Sequence, residues 1–143
     1  MSQSTSPSAD DRFDTEIRFA IVMYGGVSLA VYMNGIAQEL LHMVRATAPA
    51  GDPLNGQFRY RPDDLTGTER VYRELAGKLR ARFVVDIISG TSAGGINGIF
   101  LAKALASGQS LDQLQKLWVR EGDAGKLLND KTSLQGGLPP ELY

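Results

Sequence analysis

Two apolar runs in this chain are each followed by glycine and then by apolar residues at helical spacing. Residues 17–23 begin half-polar and become wholly apolar, which is typical of a strand that enters a buried sheet. Residues 83–89 are rich in β-branched side chains and predict a second buried strand. Gly25 and Gly26 end the first run and Gly90 ends the second. The pattern therefore predicts two strand–turn–helix units, one after the other.

The first predicted helix follows the paired glycines. Its apolar side chains recur at helical spacing between residues 33 and 44, and Ser28 is its predicted N-cap. The polar side chains fall on the other side of the helix and are expected to face solvent: Asn34, Gln38, Glu39, His42 and Arg45.

Three further helices are predicted. Residues 67–79 form a charged amphipathic pattern, residues 93–106 are apolar on nearly every side, and residues 110–120 form a short amphipathic pattern. The second of these is therefore expected to be a buried helix. The first is expected to direct these side chains inward: Val71, Tyr72, Leu75 and Leu79.

Strands that alternate with helices favour a three-layer α/β/α sandwich with a mainly parallel sheet. Two strands make a thin sheet, so residues 16–143 are expected to be the N-terminal portion of a larger domain. Residues 1–15 begin Ser-rich, without a basic or apolar core, and predict a disordered leader rather than a secretory signal. Residues 47–66 are punctuated by Pro and Gly and predict an irregular insertion.

Composition excludes several classes of function. The 143 residues are 43% hydrophobic and 22% charged, as in an ordinary globular domain, and the net charge of −1 gives no reason to expect a nucleic-acid partner. Without cysteine the chain has no disulfide or iron–sulfur site, and with one histidine a His-based metal cluster is not expected. We expect no metal and no cofactor. No apolar run reaches the length of a membrane span, and the cytoplasm is the expected location.

The second turn carries the candidate chemistry. Gly90, Thr91, Ser92, Ala93 and Gly94 fit the pattern G-x-S-x-G directly after a predicted strand and at the start of a predicted helix. A sharp turn there forces the serine into a strained backbone conformation, requires small neighbours and raises the hydroxyl above the sheet edge. The N-terminus of a helix also favours developing negative charge. Ser92 is therefore a candidate nucleophile; the alternative is a serine that only caps the helix.

The first turn is the candidate oxyanion hole. The carboxyl ends of parallel strands share one sheet edge, so the backbone N–H groups of Gly25, Gly26 and Val27 are expected near Ser92. The alternative is a plain glycine turn for close packing. Nucleotide-binding patterns do not fit, because a P-loop that starts at Gly90 would need lysine where Ile96 stands.

The chain offers no obvious general base. A Ser–His–Asp hydrolase of this fold class places its histidine after the nucleophile, and no histidine follows Ser92. His42 is expected to be a solvated surface residue. Any base must be a carboxylate. The aspartates nearby are explained otherwise or lack a preceding strand: Asp86 is expected to be structural and hydrogen-bonded, Asp112 a first-turn helix charge, and Asp123 and Asp130 follow no strand.

These two turns resemble those of the patatin-like phospholipase family, and most closely its bacterial patatin-related members. The resemblance covers about residues 18–120 and rests on Gly25-Gly26 and on the run Gly-Thr-Ser-Ala-Gly-Gly at residues 90–95. It implies an α/β/α sandwich, a Ser–Asp dyad without histidine, and hydrolysis of acyl esters in phospholipids or other lipids. Ser92 matches the nucleophile, and Gly25 and Gly26 match the oxyanion loop.

The sequence departs from the family pattern at two points. The family's oxyanion loop commonly reads Gly-Gly-Gly-x-Arg/Lys-Gly, whereas residues 25–30 read Gly-Gly-Val-Ser-Leu-Ala. The family's aspartate lies in a downstream Asp-Gly-Gly or Asp-Gly-Ala motif, and this chain has none. The resemblance therefore implies that the dyad aspartate, with the remainder of the domain, lies beyond Tyr143.

Two functions follow as expectations. The first is a serine acyl hydrolase of lipid esters, with transient contact to a membrane interface and with little activity in the 143 residues alone. The second is a non-catalytic module that keeps the fold and binds a lipid, an anion or a partner domain. Covalent modification of Ser92 by a fluorophosphonate would discriminate between them.

Overall fold

A computed structural model describes residues 13–49, 60, 63, 65 and 67–121. Strands and helices alternate as the sequence predicts, with a short 3-10 turn, Val27–Leu29, before the first helix. The elements, in chain order, are β1 (Thr15–Met23), α1 (Ala30–Thr47), α2 (Gly67–Leu79), β2 (Ala81–Gly90), α3 (Ala93–Ser107) and α4 (Asp112–Glu121).

β1 and β2 form a parallel two-stranded sheet. Pairing runs from Thr15 opposite Ala81 to Met23 opposite Gly90, with one irregularity that leaves Asp86 without a partner in the register. The Asp86 carboxylate accepts a hydrogen bond from Arg18 at 2.9 Å, so its predicted structural role is confirmed. A bulged residue is thereby fixed to the neighbouring strand by its side chain.

The folded unit begins earlier than the sequence indicates. The leader was expected to extend to residue 15, but Thr15 already belongs to β1, and Asp14 forms an ion pair with Arg80. Phe13 packs against the hydrophobic core. The remainder of the expected leader lies outside the described residues.

The helices pack against one face of the sheet. Met23 lies in one hydrophobic cluster with side chains of α1 and α3 and with Leu111, while Phe83 lies in a second with Met43 of α1 and Ala76 of α2. The mixed α/β fold with a parallel sheet is therefore confirmed. The opposite face carries the ion pairs of Glu16 and the exposed side chains of Val22 and Ile87. In the described part of the chain, the helices thus supply one of the two outer layers of the predicted sandwich.

α1 is the centre of the helical layer, and this position corrects two expectations. Asn34 and Arg45 are buried rather than solvated, because α1 is in contact with α2, α3 and α4 and so lacks one continuous solvent face. Ser28 is not the N-cap. It lies in the 3-10 turn, and the residue before the helix is Leu29, which makes no side-chain capping bond.

Two faces expected to be buried are exposed. On α2 the small Ala76 packs against the sheet and Tyr72 is half-buried against the same cluster as expected, whereas Val71, Leu75 and Leu79 are exposed. On α3 the small residues approach the sheet, whereas Ile99 is 70% exposed. Small side chains allow this close approach, and several larger apolar ones lie on the outer sides of both helices, although Leu101 of α3 is fully buried.

Most of the predicted insertion at residues 47–66 lies outside the described residues, and so do residues 122–143 with Asp123 and Asp130. Thr47 is an exception, since it is the fully buried last residue of α1. Its hydroxyl donates to the Met43 carbonyl at 2.9 Å and accepts from the Phe83 N–H at 3.2 Å. It therefore joins the end of α1 to the start of β2.

Candidate active site

The two glycine turns lie side by side at the carboxyl edge of the sheet. Met23 and Gly90 are the last pair in the register, and the Thr91 N–H donates to the Met23 carbonyl at 3.2 Å. Each strand is then followed by a helix: β1 by α1, after the 3-10 turn, and β2 by α3. A group on one turn can therefore act on a molecule held by the other.

Ser92 occupies a strained, exposed position between β2 and α3. Its φ is 51° and its ψ is −127°, in a region that residues with a side chain rarely adopt. Its hydroxyl makes no capping bond to the helix that follows. Ser92 therefore occupies the N-cap position of α3 without a side-chain capping bond, and it is exposed to solvent.

Close backbone contacts explain the glycines of the turn. A Cβ on Gly90 would lie 2.5 Å from the Gly94 carbonyl oxygen, and a Cβ on Gly94 would overlap the Met23 carbonyl. Real Cβ atoms do not approach backbone atoms so closely. The G-x-S-x-G spacing therefore allows α3 to begin directly against the end of β1.

Gly25 brings the first turn against Ser92. A Cβ on Gly25 would lie 2.7 Å from the Ser92 Cβ and 2.7 Å from the Thr91 carbonyl oxygen. The Gly25 N–H donates to the Thr91 hydroxyl at 3.0 Å. This N–H is therefore engaged in joining the two turns and is not free to stabilise an oxyanion.

Gly26 and Val27 hold the remaining N–H groups predicted for the oxyanion hole. Gly26 has a φ of 141°, and its carbonyl accepts a bond from the Leu29 N–H at 3.1 Å, which closes the 3-10 turn that begins at Val27. Among the described residues, none accepts a hydrogen bond from the Gly26 N–H. The residue after Gly25 thus keeps a backbone donor without a described partner.

The N-terminus of α3 adds a favourable field. The N–H groups of Gly94 and Gly95 donate to the Thr91 carbonyl at 2.9 and 3.2 Å, so the helix begins one residue after Ser92. The partial positive charge at a helix N-terminus favours an anion formed there. The geometry suits a reaction in which negative charge develops on an oxygen near Ser92.

His42 is remote from this corner and is not the solvated residue expected. It lies twelve residues after the start of α1, about 18 Å along the helix axis at 1.5 Å per residue. Its ring pairs with the Glu69 carboxylate and lies 5.9 Å from the Tyr60 ring. It therefore joins α1 to α2 and does not serve Ser92.

Two aspartates considered as a base, Asp86 and Asp112, are also engaged elsewhere. Asp86 is paired with Arg18, and Asp112 accepts from the Ser110 hydroxyl at 3.0 Å in the first turn of α4, as predicted. The described ranges contain no group of His, Asp or Glu arranged to hold a metal ion. Neither Asp86 nor Asp112 is therefore placed to serve Ser92 as a base.

Asn97 is a residue of the site that the sequence pattern did not indicate. This fully buried side chain donates to the Ala93 carbonyl at 3.0 Å and to the Ala30 carbonyl at 3.3 Å, so it contacts the first residue of α3 and the first residue of α1. The signal in the sequence is an amide within a helix that is apolar on nearly every side. Such a residue must find hydrogen-bond partners inside the protein.

The family follows from a comparison with protein families. The model of the patatin-like phospholipase family matches residues 21–141, which include both glycine turns. The chain belongs to the patatin-like phospholipase family. The expectation drawn from residues 90–95 is therefore confirmed, and family membership supports a hydrolase that acts on lipids.

A curated relative and the solved structures add little on mechanism. The chain is 36% identical over 128 residues to a Mycobacterium tuberculosis protein named as an uncharacterized membrane protein. The match covers 87% of this chain and 12% of that relative, so the chain spans about an eighth of its length. No solved structure was found to match. Within the described ranges, no helix has the length and apolar character that crossing a membrane requires.

Proposed function

We propose that the protein hydrolyses acyl esters of lipids through an acyl-enzyme on Ser92. The observation that carries this proposal is the exposed, strained Ser92 against Gly25, in a member of the patatin-like phospholipase family. The Ser92 hydroxyl lies at a helix N-terminus beside an available backbone N–H of Gly26. These are the features that acyl transfer from an ester to serine requires.

In the proposed reaction, the Ser92 Oγ attacks the ester carbonyl carbon and passes its proton to a carboxylate base. The carbonyl oxygen becomes an oxyanion that accepts hydrogen bonds from the N–H groups of Gly26 and Val27. The carbon–oxygen bond to the alcohol then breaks, and the alcohol leaves with the proton. Water attacks the acyl-serine, releases the fatty acid and restores the Ser92 hydroxyl.

The base in this proposal is an aspartate beyond Tyr143. The engagement of Asp86 and Asp112 elsewhere supports it, as does the relative's length, about eight times the matched segment. A serine hydroxyl without a base is a weak nucleophile. We expect the 143 residues alone to turn over very slowly.

Two measurements test the proposal. A fluorophosphonate should modify Ser92 covalently, and Ser92→Ala should abolish the modification. A p-nitrophenyl ester should be hydrolysed much faster by a form extended past Tyr143 along its own reading frame than by the 143 residues. Equal serine-dependent turnover by the two forms would contradict the assignment of the base, but not of the nucleophile.

A non-catalytic lipid- or anion-binding module is the second candidate. Two observations favour it: the family's third loop glycine is replaced by Val27, and the Gly25 N–H is engaged with Thr91. This module would resist fluorophosphonate in the extended form as well, while Ser92→Ala would still bind lipid vesicles.

A cytoplasmic location with transient membrane contact remains part of our proposal, and cell fractionation tests it.

A further inference from the structure

Asn97 is the most completely bonded side chain near the two turns. Its Nδ2 donates to the carbonyls of Ala93 at 3.0 Å and Ala30 at 3.3 Å. Its Oδ1 accepts from the Trp118 indole N–H at 3.1 Å and from the Asn34 amide at 3.3 Å. An asparagine side chain has two N–H donors and two acceptor lone pairs, and all four are used here.

The partners determine which way the Asn97 amide faces. The indole N–H of Trp118 only donates, whereas the carbonyls of Ala93 and Ala30 only accept. Exchange of the amide oxygen and nitrogen would oppose oxygen to two carbonyls and nitrogen to a donor. The observed orientation is therefore the one that the network permits.

These bonds lie at the bases of both turns. Ala93 follows Ser92 directly, and Ala30 follows the 3-10 turn Val27–Leu29, which comes directly after Gly26. We propose that Asn97 is a positioning residue, which fixes Ser92 relative to the Gly25-Gly26 turn by bonding both helix starts. This inference rests on the proposed function and adds to it a residue that does not touch the substrate.

The surrounding network keeps Asn97 in place. Gln38 donates to the Asn34 Oδ1 at 2.9 Å, and Asn34, 1% exposed, donates in turn to Asn97. Trp118 brings α4 into the same network. Loss of one member leaves buried polar groups without partners. We therefore expect the distance between the two turns to change, in addition to a loss of stability.

Asn97→Leu is the principal test, because leucine fills a similar volume and removes all four bonds. Thr47→Val is its matched control, since Thr47 is also fully buried and hydrogen-bonded but lies at the far end of α1. The rate of fluorophosphonate modification at Ser92 is measured in whichever form reacts with the probe, the 143 residues or the form extended past Tyr143. We expect Asn97→Leu to lower this rate roughly ten- to hundredfold, and Thr47→Val to leave it within about twofold at a similar loss of melting temperature.

Amide hydrogen exchange at Gly25 gives a readout that does not depend on catalysis. The Gly25 N–H is bound to Thr91, so its exchange reports whether the two turns stay together. Asn97→Leu should accelerate amide exchange at Gly25 at least about tenfold more than amide exchange in α2. A purely structural loss of stability would accelerate exchange equally at both places. An unreactive wild-type protein would refute the proposed function, and this exchange experiment would still decide the role of Asn97.

Trp118→Phe covers the case in which Asn97→Leu does not fold. It removes one bond to the Asn97 Oδ1 and retains an aromatic ring, and we expect a severalfold effect on both readouts. Rates and exchange at Gly25 that match the Thr47→Val control in the folded variants would overturn the proposal.

Discussion

The hydroxyl of Thr91 accepts a hydrogen bond from the Gly25 N–H at 3.0 Å, and this contact joins two turns 66 residues apart in sequence. The second residue of the G-x-S-x-G pattern therefore has a specific role. It fixes the first turn beside Ser92. The Thr91 backbone N–H adds a second bond, to Met23.

Thr91→Val tests the hydrogen bond from the Gly25 N–H to the Thr91 hydroxyl. Valine has the shape of threonine but cannot accept the Gly25 N–H, so we expect a stability loss of about 1 kcal/mol. The first turn should also become more mobile, and the rate of fluorophosphonate modification at Ser92 should fall severalfold. Denaturant unfolding and labelling kinetics measure the two effects. Thr91→Ser keeps the hydroxyl and should retain most of both; a serine variant as impaired as the valine variant would contradict the role of this bond.

Gly25→Ala should disturb the site by collision. The added Cβ would meet the Ser92 Cβ and the Thr91 carbonyl at 2.7 Å, distances that require backbone movement. Overpacking of this kind costs about 1–3 kcal/mol, and the displaced turn should slow modification of Ser92. Thermal unfolding and labelling of the same sample give both values.

Gly35→Ala is the control for this substitution. A Cβ at Gly35 meets nothing within 4 Å, and the residue lies inside α1. Alanine should therefore stabilise the protein by about 0.5–1 kcal/mol without slowing the modification of Ser92. Equal effects of the two alanines would show that the approach of Gly25 to Ser92 is not the cause.

The strained turn at Ser92 could be predicted from sequence because the residues that determine it are close together in the chain. A strand, two glycines around a serine and a helix pattern lie within a few residues, and they predict the strained turn observed at Ser92. The contact of Gly25 with Thr91 follows once both strands are known to be parallel. The assignment of Asp86 to a structural role was equally local, since a charged residue inside an apolar strand requires a partner.

The polar side of α1 could not be predicted from its periodicity. Helical periodicity assigns a helix one solvent face, whereas α1 contacts three other helices. Arg45 is buried because its partners, the Ala104 and Gln109 carbonyls, lie about 60 residues further along the chain. His42 is paired with Glu69 across an interval that the sequence pattern predicts only as irregular.

Arg45→Met tests the buried guanidinium. Arg45 is 7% exposed and donates to the Ala104 carbonyl at 3.0 Å and to the Gln109 carbonyl at 2.8 Å, at the C-terminal end of α3. Methionine removes both charge-assisted bonds and the favourable field at a helix C-terminus. Ala104 keeps a bond from the Gly108 N–H, so only Gln109 loses its partner.

These opposing terms give an expected loss of about 1–3 kcal/mol in denaturant unfolding, because methionine also removes the cost of burying a charge. Arg45→Lys keeps the charge but lacks the forked geometry and should fall between methionine and the wild type. A methionine variant as stable as the wild type would show that the burial cost cancels both bonds.

Glu16 should make stability depend on pH. Hydrogen bonds from Arg82 and then from Arg18 hold the pKa of Glu16 below its ordinary value. A carboxylate whose pKa is lower in the folded state stabilises the fold above its unfolded pKa, about 4.3 for glutamate, and this contribution disappears as the pH falls through the folded pKa. Glu16→Gln should therefore be less stable than the wild type at pH 7, and the difference should shrink as the pH falls below about 4.

Urea midpoints of the two proteins across this pH range, at low and high salt, measure the effect. Glu74→Gln removes the same charge from an exposed position on α2 and controls for net charge. The Glu16 carboxylate lies at the surface of the sheet, so salt should reduce the difference at pH 7. A difference between Glu16→Gln and the wild type that persists unchanged in acid would show that the variant disturbs strand packing rather than the ion pairs with Arg82 and Arg18.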